Sequence, residues 1–258
     1  MGRPVQIRVL GTETAREAGF FAPSLLVGQH VLIDAGSFGA ALTVAEQRRI
    51  DHVVLSHAHH DHVKDLAEFA DLVIADRKRP VQVHASRETL RVLREHLFNN
   101  RLWPDFFSLP SPENAVLAAV PFEPRKPFTA AGLQVRAIPV NHPVETMGFI
   151  VRTPDGSFVY SGDTGPTEEL WRVANRLRRL KLLLIETKFP NELQLVADAA
   201  GHLTPRTLAA ELRKIRAPGV PVVLYHLKPD RRRVVKRQIR ALGDERLRIM
   251  HAGDRYRL

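Results

Sequence analysis

A dense run of metal-binding side chains is the most informative part of the sequence. Residues 56–62 read SHAHHDH, which places four histidines and one aspartate within six residues directly after an apolar stretch. Neutral imidazole nitrogens and carboxylate oxygens are the ligands that borderline divalent cations such as zinc prefer. Packing does not explain so many of these side chains in one place. The run therefore predicts a metal site rather than a histidine-rich surface loop.

The spacing within this run favours two ions. His57 and His59 stand two apart on extended chain, so that both rings point the same way. Asp61 and His62 follow at the start of a predicted helix, where they can reach a second ion beside the first. Two-metal enzymes hold their ions about 3.5–4 Å apart. We therefore predict a two-metal centre.

Further candidate ligands come later in the chain. His142, Asp163 and His226 each follow an apolar run that is predicted to be a strand. Loops beyond strand ends are where functional groups collect in sheet-based sites. Taken alone, either histidine would more often be structural, but beside the cluster we interpret both as ligands. The other histidines lack such a context; His60 is predicted to face solvent or to support a ligand, and the rest are predicted to be structural or exposed: His30, His52, His84, His96 and His251.

The elements that must position these residues follow from the hydrophobic pattern. Strand-rich and helical stretches alternate twice, which favours an α/β (α+β) chain with two packed β-sheets and helices outside them. Six prolines between 104 and 128 exclude a long helix there and favour an extended loop or lid. Strands are predicted at 5–10, 30–34, 52–56, 133–139, 147–152, 157–161, 181–185 and 221–225, and helices at about 62–70, 86–98, 167–180 and 204–215.

Composition narrows the function classes. The 258 residues include no cysteine, which excludes disulfides, cysteine-ligated zinc and a thiol nucleophile. No apolar stretch approaches the roughly 18–20 residues of a membrane span, so we expect a cytoplasmic protein without a membrane partner. The net charge of +10 favours an anionic partner such as a nucleotide or nucleic acid. Arginine runs such as 231–233 are equally explained as solvated helix faces.

The run at 57–62 resembles the His-x-His-x-Asp-His hallmark of the metallo-β-lactamase superfamily, and the likeness extends over nearly the whole chain. Supporting segments are VLIDAG at 31–36, SGDT at 161–164 and YH at 225–226. The resemblance implies one domain, 1–258, built as a four-layer αββα sandwich of two related halves, with a helix and proline-rich insertion at about 86–128. It also implies that Asp34 orients the ligand-bearing loop, although a turn before Gly36 would explain Asp34 as well.

The same resemblance implies a distribution of ligands and a metal content. His57, His59 and His142 look like the first metal's ligands, and Asp61, His62 and His226 look like the second's. Asp163 looks like the bridging carboxylate. We expect two divalent ions, with zinc preferred and manganese or iron as alternatives, because all three accept these ligands.

A metal pair of this kind predicts hydrolysis without a side-chain nucleophile. A metal-bridging hydroxide would attack, and Asp61 would accept its proton. His202 precedes a predicted helix and is our candidate for donating to the phosphoryl or leaving oxygen, unless it caps that helix. Glu186 would polarise His202, as acid and histidine pair in related phosphodiesterases. The alternative for Glu186 is a surface position facing Lys188.

Three segments resemble class II cyclic-nucleotide phosphodiesterases: HLFNNRLWPDF at 96–106, IETKFPNE at 185–192, and GHLTP at 201–205 together with YHLKP at 225–229. The resemblance implies hydrolysis of a 3′,5′-cyclic nucleotide, such as cyclic AMP, to the 5′-monophosphate. The chain departs from that class because no glycine-rich stretch occurs around 11–25. We predict substrate contacts for His202, Lys228, Trp103 and Asn99. Packing below the proline-rich loop also suits Trp103 and Phe106, and solvent exposure also suits Lys228.

Two other function classes remain open. An RNA-processing nuclease resembling ribonuclease Z would use the same ligands, and the positive charge favours it. However, neither the span from His142 to Asp163 nor that from Asp163 to Glu186 has room for the long RNA-gripping arm of many such enzymes. A non-hydrolytic dinuclear-iron redox protein or a regulatory binding module is the third hypothesis, although the related diiron reductases usually carry an acid where His59 stands. The sequence also leaves a homodimer open.

Overall fold

The structure is a computed structural model that describes residues 4–13, 21–75 and 77–258. Residues 14–20, within the 11–25 segment considered above, lie outside these ranges. The strands are β1 (Gln6–Gly11), β2 (Ser24–Val27), β3 (Val31–Ile33), β4 (His52–Val54), β5 (Val81–Ala85), β6 (Leu117–Pro121), β7 (Pro127–Ala130), β8 (Leu133–Pro139), β9 (Met147–Thr153), β10 (Gly156–Tyr160), β11 (Leu180–Glu186), β12 (Val222–Tyr225), β13 (Leu247–Ile249) and β14 (Arg255–Arg257).

The α-helices are short and lie between strands. Among the described residues they are α1 (Val44–Gln47), α2 (His60–Val63), α3 (Asp65–Val73), α4 (Arg87–His96), α5 (Glu169–Ala174), α6 (Gln194–Ala200), α7 (Pro205–Arg213) and α8 (Arg232–Arg240). Single 3₁₀ turns occupy Pro112–Asn114, Asn191–Leu193 and Pro229–Arg231. Across the part of the chain that is described, no helix combines the length and apolarity that crossing a bilayer needs.

The strands form two mixed sheets. Within the described ranges, one sheet has the order β14-β1-β2-β3-β4-β5-β6 and the other β13-β12-β11-β10-β9-β8-β7. Strands β3 to β6 run parallel to one another, as do β10 to β13. Parallel strands end at the same edge of a sheet, so the segments after β10, β11 and β12 lie together. The two sheets pack against each other, and the segment after β4 can therefore share a site with them.

Side-chain alternation along the strands divides the core into layers. In β11, Leu182 and Leu184 pack between the two sheets, whereas Leu183 and Ile185 pack against the helices on the outer face. Successive side chains of a strand point to opposite faces, so a continuous apolar run is what a strand covered on both sides requires. Helices α3 and α4 cover the other sheet in the same way. The expected four-layer αββα sandwich is confirmed.

Two predicted elements differ from the structure. The extended loop or lid predicted for 104–128 is wrong at its end, because β6 pairs with β5 at the sheet edge and β7 starts at Pro127. Edge strands and strand ends tolerate proline, which explains why the prolines did not prevent pairing. The helix predicted at 167–180 ends at Ala174, since the side chain of Asn175 bonds across to the Lys214 carbonyl and the Arg216 amide instead.

Candidate metal centre

The structure brings together every side chain that the sequence predicts to be a metal ligand. Their ligand atoms fall into groups in which all atoms lie within 4.8 Å of one another. The predicted ligands follow the ends of β4, β8, β10 and β12, so the facing edges of the two sheets gather them, and His202 joins them from the segment after α6. The groups are His57, His59 and His142; His57, His62 and Asp163; Asp61, His62 and His226; and His142, Asp163 and His202.

The ligand run after β4 changes conformation as its spacing predicts. His59 is extended, with φ −62° and ψ 144°, and it directly precedes helix α2, which begins at His60. Asp61 and His62 therefore lie in the first helical turn, while His57 and His59 remain on extended chain. Because the chain changes from extended to helical at His60, the side chains before and after this point reach the same centre from different directions.

Several of the buried ligand atoms lack a hydrogen-bond partner among the described residues. They are Nε2 of His57 and His62, Oδ1 of Asp163, and both ring nitrogens of His226. His226 Nε2 lies only 2.8 Å from Asp163 Oδ2, yet the two are not aligned for a hydrogen bond. Burying such atoms without a partner costs free energy. Divalent cations between these lone pairs would satisfy them, so the residues fit a metal centre.

Asp34 fixes the orientation of His62. Its Oδ2 accepts hydrogen bonds from His62 Nδ1 at 2.8 Å, from the Ser56 hydroxyl at 2.9 Å and from the Tyr160 hydroxyl at 2.7 Å. Because His62 donates from Nδ1, its Nε2 lone pair points into the centre. Asp34 is fully buried and has a left-handed backbone with φ 54°, so it combines the orienting role with a turn.

Gly201 holds His142 in a similar way. The Gly201 carbonyl accepts a hydrogen bond from His142 Nδ1 at 2.9 Å, which leaves His142 Nε2 facing His59 Nδ1 at 3.3 Å. Gly201 has φ 63°, and a Cβ built on it would lie 2.6 Å from Pro143 Cδ and 2.9 Å from His142 Cα. Only glycine fits so close an approach without strain.

The protonation states of His57 and His142 suit metal binding. Burial lowers the pKa of His142 to about 4 and, together with the neighbouring His62, lowers the pKa of His57 well below its usual value. Both rings are therefore neutral near pH 7, as metal ligands must be. Burial pushes the pKa of Asp163 upward, but His226 and His62 together outweigh burial and hold that pKa well below its usual range.

Glu186 and His202 form a buried pair beside the cluster. His202 Nδ1 lies 2.6 Å from Glu186 Oε1, and the amides of Thr164 and Leu203 donate to the same carboxyl group. Glu186 is fully buried, so the surface alternative for it is wrong. The helix-cap alternative for His202 is also wrong, because Thr204 caps α7. Burial and the Asp163 charge raise the pKa of Glu186 to about 8, while burial lowers the pKa of His202 to about 4.

The residues predicted to contact substrate lie in different places. Lys228 is close to the site, since its Nζ lies 5.6 Å from the centre of the Phe189 ring, which itself lies 5.8 Å from that of His202. Asn99 uses its side chain within its own loop. It donates a hydrogen bond to the Glu95 carbonyl and accepts hydrogen bonds from the backbone amides of Arg101 and Leu102. Trp103 packs on the core beneath α3 and α4. No contact described in the structure joins Asn99 or Trp103 to the metal cluster.

Sequence reasoning missed three residues of the site. Tyr160 and Gly201 act through tertiary hydrogen bonds to Asp34 and His142. Lys188 lies with its Nζ 2.9 Å from His202 Nε2. Its sequence signals are its place two residues after Glu186, at the end of β11, and its position within the IETKFPNE segment. The other histidines are outside the centre, as predicted; His30, His60, His96 and His251 are exposed, and His52 pairs with His84.

Comparison with known proteins places this geometry in a family. Residues 29–227 match the family model described as beta-lactamase superfamily domain. The chain therefore belongs to the beta-lactamase superfamily, and its architecture is the metallo-β-lactamase fold.

Individual relatives carry more specific names. The chain is 29% identical over 250 residues to a probable 3′,5′-cyclic-nucleotide phosphodiesterase of Yersinia pestis, covering 82% of this chain and 70% of the relative. Among solved structures, unliganded yeast PDE1 superposes with a TM-score of 0.84 at 18% identity, covering 99% of both chains. The short form of human tRNase Z superposes with a TM-score of 0.71 at 16% identity, covering 97% of this chain and 98% of that one.

Proposed function

We propose that this protein is a dinuclear metal-dependent phosphodiesterase that hydrolyses a 3′,5′-cyclic nucleotide, such as cyclic AMP, to the 5′-monophosphate. The observation that carries the proposal is the convergence of imidazoles and carboxylates whose buried ligand atoms lack partners among the described residues. The name of the Yersinia pestis relative supports the substrate class. We propose two divalent ions, with zinc preferred over manganese or iron.

The proposed chemistry follows from the donor set. When bound, the cations would supply a nucleophilic water at neutral pH and neutralise charge on the phosphoryl group. His57, His59 and His142 would hold one ion and Asp61, His62 and His226 the other, with Asp163 between them. Each histidine would bind through a neutral ring nitrogen, and neighbouring groups such as Asp34 would fix the ring orientations.

Asp61 and the Glu186–His202 pair are the proposed catalytic groups of the chain. The Asp61 side chain is 25% exposed, more than Asp163 at 2%, and its Oδ2 lies 4.0 Å from His226 Nε2. Asp61 can therefore bind metal and still accept a proton on the open side of the centre. Glu186 holds His202 at the phosphoryl and leaving-group side. Lys228 is the proposed substrate contact nearest to this pair, and contacts from Trp103 and Asn99 stay predictions.

A competition assay on the zinc- or manganese-loaded protein tests this function. Cyclic AMP, an aryl phosphodiester and a precursor transfer RNA are offered together, and the products of each are measured. We expect cyclic AMP to be hydrolysed with the highest kcat/KM and to yield 5′-AMP alone. Cleavage of the aryl ester without cyclic AMP turnover would retain the hydrolase and reject the substrate.

A ribonuclease Z-like RNA-processing function is the second candidate. It is supported by the fold shared with the short form of human tRNase Z and by the net charge of +10. Cleavage of the precursor transfer RNA alone in the same assay would establish it. Turnover of none of the three substrates would instead favour a non-hydrolytic dinuclear-iron protein or a regulatory module.

A further inference from the structure

Lys188 brings a positive charge to the edge of the metal cluster, where it contacts His202. It lies two residues after the end of β11, and its backbone amide donates a hydrogen bond to the Leu203 carbonyl at 3.1 Å. Its Nζ lies 2.9 Å from His202 Nε2 and 5.8 Å from the centre of the Phe189 ring. The side chain is thus directed towards the metal cluster instead of into open solvent.

The hydrogen bonds around Glu186 determine which nitrogen of His202 carries the proton. Thr164 and Leu203 donate amide hydrogens to the Glu186 carboxyl group, and Lys188, an obligate donor, lies at His202 Nε2. This pattern requires an acceptor at Nε2 and therefore a proton at Nδ1, directed at Glu186. Burial and the Asp163 charge favour a proton on Glu186. However, a protonated Glu186 donating to Nδ1 would leave a hydrogen on Nε2 facing the Lys188 ammonium, so the contact between Lys188 and His202 decides the tautomer.

With its proton on Nδ1, His202 cannot donate a proton from Nε2. Lys188 uses one N–H group in its hydrogen bond to His202 Nε2 and has further N–H groups free to donate to a ligand. The positive charge of Lys188 also reaches the ligands. Its Nζ is 2.9 Å from His202 Nε2, and the centre of the His202 ring lies 5.5 Å from that of His226. The Lys188 ammonium is therefore placed to attract an anion that binds in the centre.

We propose that Lys188 is the cation that binds the non-bridging phosphoryl oxygens of the substrate, and that His202 is a positioning residue that holds Lys188 for this purpose. This inference rests on the proposed phosphodiesterase function and changes the role of His202 within it. A lysine ammonium attracts phosphate as a compact charge that tolerates several directions of approach. The same contact would bind the monophosphate product, whose charge is larger than that of the diester.

Binding of inorganic phosphate to the metal-loaded protein measures this contact without catalysis. Titration calorimetry is carried out on the wild type, Lys188→Met and Lys188→Arg, with metal content determined for each. We expect Lys188→Met to keep its metals and to lose about 10- to 100-fold in phosphate affinity, with a similar rise in the KM for cyclic AMP. Lys188→Arg keeps the charge and should recover most of the affinity.

Lys181→Met is the matched control, because Lys181 is an exposed lysine at the opposite end of β11. It removes the same charge and should bind phosphate as the wild type does. Lys188→Gln, checked by thermal melting, serves in place of Lys188→Met if that variant does not fold. Equal losses in the Lys181 and Lys188 variants would mean that total charge alone matters, which would overturn the proposal.

The outcomes separate this proposal from the proposed function. Wild-type turnover of cyclic AMP together with unchanged phosphate affinity and KM in Lys188→Met would reject the role of Lys188 and leave the phosphodiesterase standing. Loss of phosphate affinity in that variant, with no turnover of any phosphodiester by the wild type, would support Lys188 as the anion-binding group and reject the function. A wild type that binds no phosphate would overturn the Lys188 proposal.

Discussion

At the scale of single residues, a metal ligand and a residue that positions the neighbouring Lys188 should respond differently to mutation. His57 has a buried Nε2 with no hydrogen-bond partner in the described part of the chain, whereas His202 bonds Glu186 and Lys188. We expect His57→Ala to lose metal and turnover together. His202→Ala should keep both ions but slow phosphodiester cleavage on the order of 100-fold or more. Metal analysis and steady-state kinetics on the two variants check both expectations.

The contrast between these two variants is the informative result. Normal turnover in His202→Ala would reject any role for that residue, and retained metal in His57→Ala would reject its ligation. His60→Ala provides a control within the same run, because His60 is exposed and lies outside the groups of converging ligand atoms.

The metal ligands could be predicted from sequence because most of them lie in one short motif whose chemistry is local. The orienting role of Asp34 was predicted through the resemblance of the VLIDAG segment at 31–36 to the superfamily. Lys188 and Gly201 could not, since each acts through a contact that exists only after the strands have paired. Lys188 meets His202 14 positions away, and Gly201 meets His142 59 positions away.

At the scale of elements, the end of α6 determines where His142 lies. The left-handed Gly201 both ends the helix and accepts the His142 hydrogen bond. We expect Gly201→Ala to be destabilised by about 1–3 kcal/mol and to bind metal more weakly, because its Cβ meets backbone and ring atoms that cannot move independently. Thermal melting and zinc titration measure the two effects.

Gly219→Ala provides the matched control. Gly219 also has a positive φ, 78°, but a Cβ there would have no neighbour within 4 Å among the described residues. It should lose about 1 kcal/mol of stability through backbone strain and keep its metal affinity. Equal metal affinity in the two glycine variants would show that crowding at residue 201 does not position His142.

The elements were predictable to the extent that their patterns are local. Apolar runs revealed the central strands β3, β4, β11 and β12, whose side chains are covered on both faces. The edge strand β14 has the sequence RYR, which carries no such pattern, and it forms by pairing with β1 at the other end of the chain. Helix α5 was overestimated because Asn175 ends it through long-range hydrogen bonds.

At the scale of the whole molecule, charge should govern how fast anions arrive. The net charge is +10, and Arg152, Arg176, Arg178 and Arg179 line a surface cavity of about 350 Å³. We expect kcat/KM for an anionic substrate to fall about 3- to 10-fold as potassium chloride rises from about 25 to 300 mM. Initial-rate assays at a series of salt concentrations measure kcat/KM. A value of kcat/KM that does not change with salt would show that the positive charge of the protein does not speed substrate association.

The arrangement of the whole chain was predictable only through its resemblance to a family. Alternating strands and helices favour two sheets with helices outside, but the strand order and the meeting of segments after β4, β10 and β12 depend on long-range pairing. The single domain with two related halves and an insertion at 86–128, the cytoplasmic location and the homodimer stay predictions.

The number of divalent ions bound per chain shows whether the converging side chains form a two-metal centre. Purified protein is stripped with chelator, reloaded with zinc, freed of excess metal and measured by inductively coupled plasma mass spectrometry. We predict about two ions per chain for the wild type and about one or fewer for Asp163→Ala, whose carboxylate lies between both groups of ligands. A wild type that retains no zinc would show that the cluster is not a metal centre. An Asp163→Ala variant that retains as much zinc as the wild type would show that Asp163 does not hold the ions.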